Sequence, residues 1–185
     1  MLVENLGQIK TLNLPDSWQS QDKGRPMSPG MSWEVNYVSK TSPNTRIVFK
    51  GRGMPIDNAS RQILRYVLSD QHPKEISEDE IVALHTVMGV ATTGDNQYTN
   101  KNAKGSIEGP AFFLNKIHVE KLGPKSVLRV EGQFSNDYFY DGIIYPAGVA
   151  GQIIEELYLQ SLDTDDFINS RDIFDTALNS LAWRL

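Results

Sequence analysis

The stretch from residue 152 onward constrains this chain most, because a strand pattern there runs directly into an amphipathic helix. Residues 152–159, Gln-Ile-Ile-Glu-Glu-Leu-Tyr-Leu, read as extended chain. Residues 161–166 turn it. Over residues 167–183 apolar side chains then recur at helical spacing: Phe167, Phe174, Leu178 and Leu181, widened by Ile173, Ala177 and Trp183. Asp163 or Thr164 can cap that helix, and the acidic residues that follow suit its N-terminal dipole. A strand feeding a helix with one apolar stripe points to a helix packed on a sheet.

The rest of the chain supplies the sheet. Residues 8–14 alternate polar and apolar side chains and read as a half-buried strand, with Trp18 anchoring the turn that follows. Residues 19–30, with two Gly and two Pro, read as irregular. Trp33, Val35 and Tyr37 share one face of a strand, and Ile47 and Phe49 one face of the next. Ser42-Pro43-Asn44 makes the two an antiparallel hairpin. Residues 112–119, 126–134, 138–145 and 152–160, joined by short turns, read as an antiparallel meander.

Two helices interrupt the strands. Asp57 or Asn58 caps the first, whose buried stripe is Ile63, Leu64, Val67 and Leu68. Ser77 and Glu80 form a capping box for the second, with Ile81, Leu84, Val87 and Met88 as its apolar face and Gly89 as its stop. Residues 92–109 are rich in Asn, Gly, Lys and Thr and read as a long surface loop or a mobile hairpin. The expected architecture is α+β: one domain over residues 1–185, a largely antiparallel sheet with helices packed on it.

Composition narrows the classes of function. The chain has no Cys, which excludes disulfides, thiolate metal sites and cysteine nucleophiles and fits a reducing, cytoplasmic compartment. With 18 Lys+Arg against 23 Asp+Glu the net charge is -5, which speaks against nucleic acid as a nonspecific partner. The first residues do not have the form of a signal peptide, and no apolar run is long enough to span a bilayer.

Both chain ends resemble one family. Leu12-Asn13-Leu14-Pro15-Asp16-Ser17-Trp18 resembles the opening of PsbP-like proteins. A strand, a Phe-containing turn and a helix closing on Leu178-Asn179-Ser180-Leu181-Ala182-Trp183-Arg184 resembles their ending. The resemblance implies an α/β/α sandwich around an antiparallel sheet. It also implies a binding protein, since the better-known members are photosystem subunits, a Ran-binding protein and secretion chaperones. Residues 55–110, with two helices and a long loop, depart from the pattern.

Few residues suggest chemistry. His72, His85 and His118 have no metal-ligand spacing and read as structural or solvent-facing. Gly51-Arg52-Gly53 lacks the phosphate-loop spacing and reads as a strand end, with Arg52 kept as a contact residue. Asp163, Asp165 and Asp166 lack the Gly and Glu of a calcium loop and read as helix capping. Glu155 and Glu156, adjacent in a strand, face opposite sides and cannot form a catalytic pair. No catalytic, cofactor or metal residue is therefore assigned.

Tyr138-Phe139-Tyr140 and Tyr145 read first as core or sheet packing, since aromatics suit strands; if the tyrosine face is exposed, Arg52, Tyr138, Tyr140 and Tyr145 outline a binding surface. The leading expectation is a non-catalytic protein-binding, adaptor- or chaperone-like protein whose partner is another protein. The alternative is a small-molecule-binding protein or enzyme with a cleft near residues 92–109. Residues 155–161, Glu-Glu-Leu-Tyr-Leu-Gln-Ser, also match closely the recognition sequence of the potyviral protease used for tag removal, which reads as coincidence inside a strand.

Overall fold

The computed structural model describes residues 1–21, 32–53, 55–73, 75–88, 91–92, 97–101 and 107–184. The chain opens with a hairpin of β1 (Leu2–Leu6) and β2 (Ile9–Asn13), of which the alternation had marked only the second strand. After β3 (Trp18–Ser20), where irregular chain was expected, β4 (Trp33–Ser39) and β5 (Thr45–Gly51) form the expected antiparallel hairpin. Residues 22–31 lie outside the described residues. Trp18 is buried, as an anchoring residue should be.

Asp57 caps α1 (Asn58–Val67), and the Ser77–Glu80 capping box opens α2 (Glu78–Ala83). The second helix breaks at the buried Leu84, and a separate short helix α3 (His85–Met88) follows. Its apolar face is the expected one, while Gly89 lies outside the described residues. Then come β6 (Ala91–Thr92), β7 (Gln97–Lys101) and β8 (Ile107–Leu122). Within residues 92–109, Gln97–Lys101 pairs antiparallel with the start of β8, with Tyr98 in register opposite Phe112; residues 93–96 and 102–106 lie outside the described residues. The meander continues through β9 (Lys125–Phe134), β10 (Phe139–Ala147) and β11 (Ile153–Ser161).

The last helix, α4 (Thr164–Asn179), is capped by Asp163, whose carboxylate accepts from the Asp166 N–H at 2.9 Å. It ends earlier than the apolar spacing suggests. The Ser180 hydroxyl donates to the Ala177 carbonyl at 2.7 Å and accepts from the Asn13 N–H at 2.9 Å, which ties the helix end to β2. Ala182 and Trp183 form a final strand, β12 (Ala182–Trp183), paired with β2. Trp183 is buried as expected, but from a strand, and its Nε1–H donates to the Leu122 carbonyl at 2.8 Å.

Among the described residues the protein is α+β, with a nine-stranded antiparallel sheet in the order β3-β4-β5-β11-β10-β9-β8-β7-β6 and a small sheet in the order β1-β2-β12. Strand alternation gives the large sheet an apolar residue on both faces. Ile47, Phe49, Ile143, Leu157 and Leu159 pack under α4 and the small sheet; Phe174 and Leu178 of α4 are buried there. Leu128, Val130, Ile144 and Ile154 pack under α1 to α3, meeting Leu64, Val67, Leu84 and Val87. The protein is therefore layered, with the central strands of its sheet inside. No helix is long and apolar enough to cross a membrane, among the described residues.

Residues 155–161 lie on β11, paired on both sides by β5 and β10, so their backbone groups are already engaged. Cutting after Gln160 requires opening, at a rate set by the population of the open form. The native protein should resist the potyviral protease. Leu178→Ala, costing about 2–5 kcal/mol at a buried site, should be cut faster in a timed gel assay. Cutting of the native chain as fast as a flexible tag would contradict this pairing.

Candidate functional site

Among the described residues a cleft lies at one end of the large sheet, beside α1. Asp57 fixes the start of α1 by accepting from the Ser60 N–H at 2.9 Å and the Ser60 hydroxyl at 2.6 Å. From that start the helix places Leu64 and Val67 in the core and sets Arg61 and Arg65 one turn apart. Lys121, Pro124 and Lys125 on the β8–β9 turn form the facing wall. Pro146, Val149 and Ala150 on the β10–β11 turn close the end. The cleft is open to solvent, with a volume of about 720 Å³.

The lining holds four cations, Arg61, Arg65, Lys121 and Lys125, against one carboxylate, Asp70. That is the reverse of the chain's overall balance, and a concave wall of one sign concentrates its field. Arg61 donates to the Asn58 side chain, while Arg65 and Lys121 make no hydrogen bond or ion pair, among the described residues. Lys125 is more committed. Its ammonium donates to Gln8 Oε1 at 3.2 Å and sits 4.8 Å from the Trp183 ring centre; burial pulls its pKa below the usual lysine value. Arg61 and Arg65, like charges at i and i+4, cost the helix a few tenths of a kcal/mol, roughly. The helix dipole accounts for one of them at most, since only Arg65 lies in the last turn.

Of the residues singled out from sequence, Tyr145 lines the cleft; Arg52, Tyr138 and Tyr140 sit elsewhere, and the structure does not gather the four into one surface. Arg52 is largely buried. It donates to Glu156 (Nη2–Oε2 3.2 Å), to the Met88 carbonyl at 3.1 Å and to the Val87 carbonyl, closing the C-terminal end of α3. Tyr140 joins this group, 3.4 Å from Glu156 and stacked on Tyr158. Burial first, and then the charge of Glu156, raises the pKa of the Tyr140 phenol well above its usual value.

Tyr145 is fully buried on the opposite face, against Trp183. Tyr138 precedes the strand, half-buried, with the Arg46 guanidinium over its ring. The condition that the tyrosines be exposed fails for Tyr140 and Tyr145, because both sheet faces are covered. The expected tyrosine-rich binding surface is corrected accordingly. Sequence reasoning passed over the cleft's cations. Arg61 and Arg65 share a visible helix face, but nothing local shows that Lys121 and Lys125 converge on it.

Two other charged groups are structural. Asp141, wholly buried, receives both Nε (2.9 Å) and Nη2 (2.8 Å) of Arg129. Arg129 also reaches Asp175 of α4 at 2.6 Å and Glu120 at 3.2 Å, while Arg171 reaches Glu131 at 2.7 Å. The network fastens α4 to the sheet. Glu155 accepts from the Gln8 N–H at 2.8 Å. Its carboxylate fills the space a side chain at Gly7 would need, since a Cβ there would lie 2.2 Å from Oε1.

Histidines complete no catalytic relay. His72 Nε2 lies 2.9 Å from Glu80, and Ser77 bonds the same carboxylate, so glutamate rather than imidazole holds the middle place. The His85 ring bonds the Val82 carbonyl and the Thr86 hydroxyl. His118 lies on β8, and burial lowers its pKa. No group of three or more potential metal ligands is present among the described residues.

Asp141→Ala should cost about 3–5 kcal/mol, since it leaves the Arg129 charge buried without its bidentate partner; urea denaturation measures it. For Glu155, burial raises the folded-state pKa above the unfolded value. The folded chain then holds the proton more tightly, so stability falls as pH rises from the ordinary carboxylate range through that raised value. Glu155→Gln should match the wild-type denaturation midpoint below about pH 4 and exceed it near neutrality. A constant gap at all pH values would show that Glu155 does not titrate this way.

Comparison of the chain with protein-family models and with curated proteins finds no match.

Proposed function

We propose that this chain is a non-catalytic binding protein, adaptor- or chaperone-like, that takes a negatively charged part of another protein into the cleft beside α1. One observation carries the reading: four cations line a single cleft in a chain of net charge -5. Two of them, Arg65 and Lys121, lack a partner among the described residues, so an arriving anion need not break an existing ion pair. Complementary charge of this kind speeds encounter and selects partners.

A small anionic molecule is the second reading, favoured by a volume within the roughly 300–1,000 Å³ of ligand pockets. The cleft lies at the Leu122 end of β8, away from residues 92–109 where the sequence had suggested one. The PsbP-like likeness belongs to the same proposal and is supported by an antiparallel sheet with helices on both faces. A cytoplasmic location also belongs there, in keeping with a Cys-free chain.

Calorimetric titration with an oligoglutamate peptide and with tripolyphosphate, at low salt, tests the reading. At least one should bind, and affinity should fall as salt is added. Arg65→Glu/Lys121→Glu should weaken binding about tenfold or more, each charge reversal being worth near 1 kcal/mol, with an unchanged denaturation midpoint. Binding of neither probe would overturn the proposal.

A further inference from the structure

The cleft's cations are distributed in a way that selects the shape of the anion. We infer that the occupant is an extended acidic segment of a partner protein, with carboxylates at alternate positions along one side; this rests on the cleft being the binding site. The spacing carries the inference. Arg61 and Arg65 are four residues apart on α1, a rise of about 6 Å. In an extended peptide, residues i and i+2 point the same way and lie about 6.6 Å apart. Two alternate carboxylates therefore match the two arginine positions along α1, whereas two adjacent ones point to opposite sides and leave one arginine unmet.

A compact phosphate fits the same wall less well. Phosphates favour helix N-termini, where N–H groups and the positive end of the dipole converge. This cleft instead runs along the side of α1 from Arg61 to Leu68 and reaches its C-terminal end, with Asp70 just beyond. The negative end of the dipole and a carboxylate both oppose concentrated negative charge there. Separate carboxylates, each at its own cation, avoid that concentration. Val149 adds an apolar contact: fully exposed at the tip of the β10–β11 turn, it can meet an apolar side chain flanking the acidic pair.

Three probes separate the cases, followed by amide chemical-shift titration of the folded protein. Two are blocked hexapeptides of the same composition, each with two glutamates and one leucine, the glutamates alternate in one and adjacent in the other. The third is tripolyphosphate. The alternate peptide should bind about two- to fivefold tighter than the adjacent one, the worth of one exposed ion pair, and tighter than tripolyphosphate. Arg61→Gln should abolish the preference between peptides without moving the denaturation midpoint. Val149→Ser should weaken the alternate peptide and leave tripolyphosphate unchanged. Equal peptide affinities, or tighter binding of tripolyphosphate, would overturn the inference while leaving an anion-binding cleft. Binding of none of the three would remove the cleft reading and the inference with it.

Discussion

Side chains of a β-strand alternate between two faces, and in β11 that alternation sends two neighbouring carboxylates into two different layers of the protein. Glu155 faces the layer of the small sheet and accepts from the backbone of Gln8. Glu156 faces the helical layer and holds Arg52, which in turn closes the end of α3. Between and around them Ile154, Leu157 and Leu159 fill the two cores. A central strand in this position cannot slip by one residue without exchanging both anchors and both sets of apolar contacts. The layers on either side are thus held in register by the same short stretch of chain.

Charge inside the protein follows this plan. The Arg129–Asp141 pair and its neighbours link β8, β9 and β10 to α4, and Arg52–Glu156 links β5 and β11 to α3. Each buried cation meets its carboxylate with further hydrogen bonds, the condition under which burying charge is tolerable. The cleft differs in kind. Its cations line a concave surface and outnumber their carboxylates, and two of them, Arg65 and Lys121, have no side-chain partner among the described residues.

What could be read from the sequence was what local periodicity encodes. The opposite facing of Glu155 and Glu156, the Asp57 and Asp163 caps and the Ser77–Glu80 box all depend on neighbours within a few residues. Trp183 was placed in a helix because apolar spacing continues through Leu181. The strand it joins is formed by residues at the far end of the chain, and Ser180 diverts the helix toward them. Core packing was the favoured reading of the tyrosines, but their exposure stayed open for a related reason: alternation predicts which residues share a face, not whether a second layer covers it. The cleft was hidden for the same reason, since its walls come from three separated segments.

The small sheet has a consequence for the order in which the protein is made. β2 has β1 on one edge, formed early, and β12 on the other. The bond from Asn13 to Ser180 spans 167 residues. During synthesis the first hairpin therefore emerges with Leu6, Ile9 and Leu12 uncovered, and its layer cannot close until the residues around Ser180, 167 positions on from Asn13, have followed. Pairings this distant carry the loop-closure cost that slows folding. Closing this layer therefore carries a larger loop-closure cost than the meander it covers, whose strands pair with near neighbours in sequence.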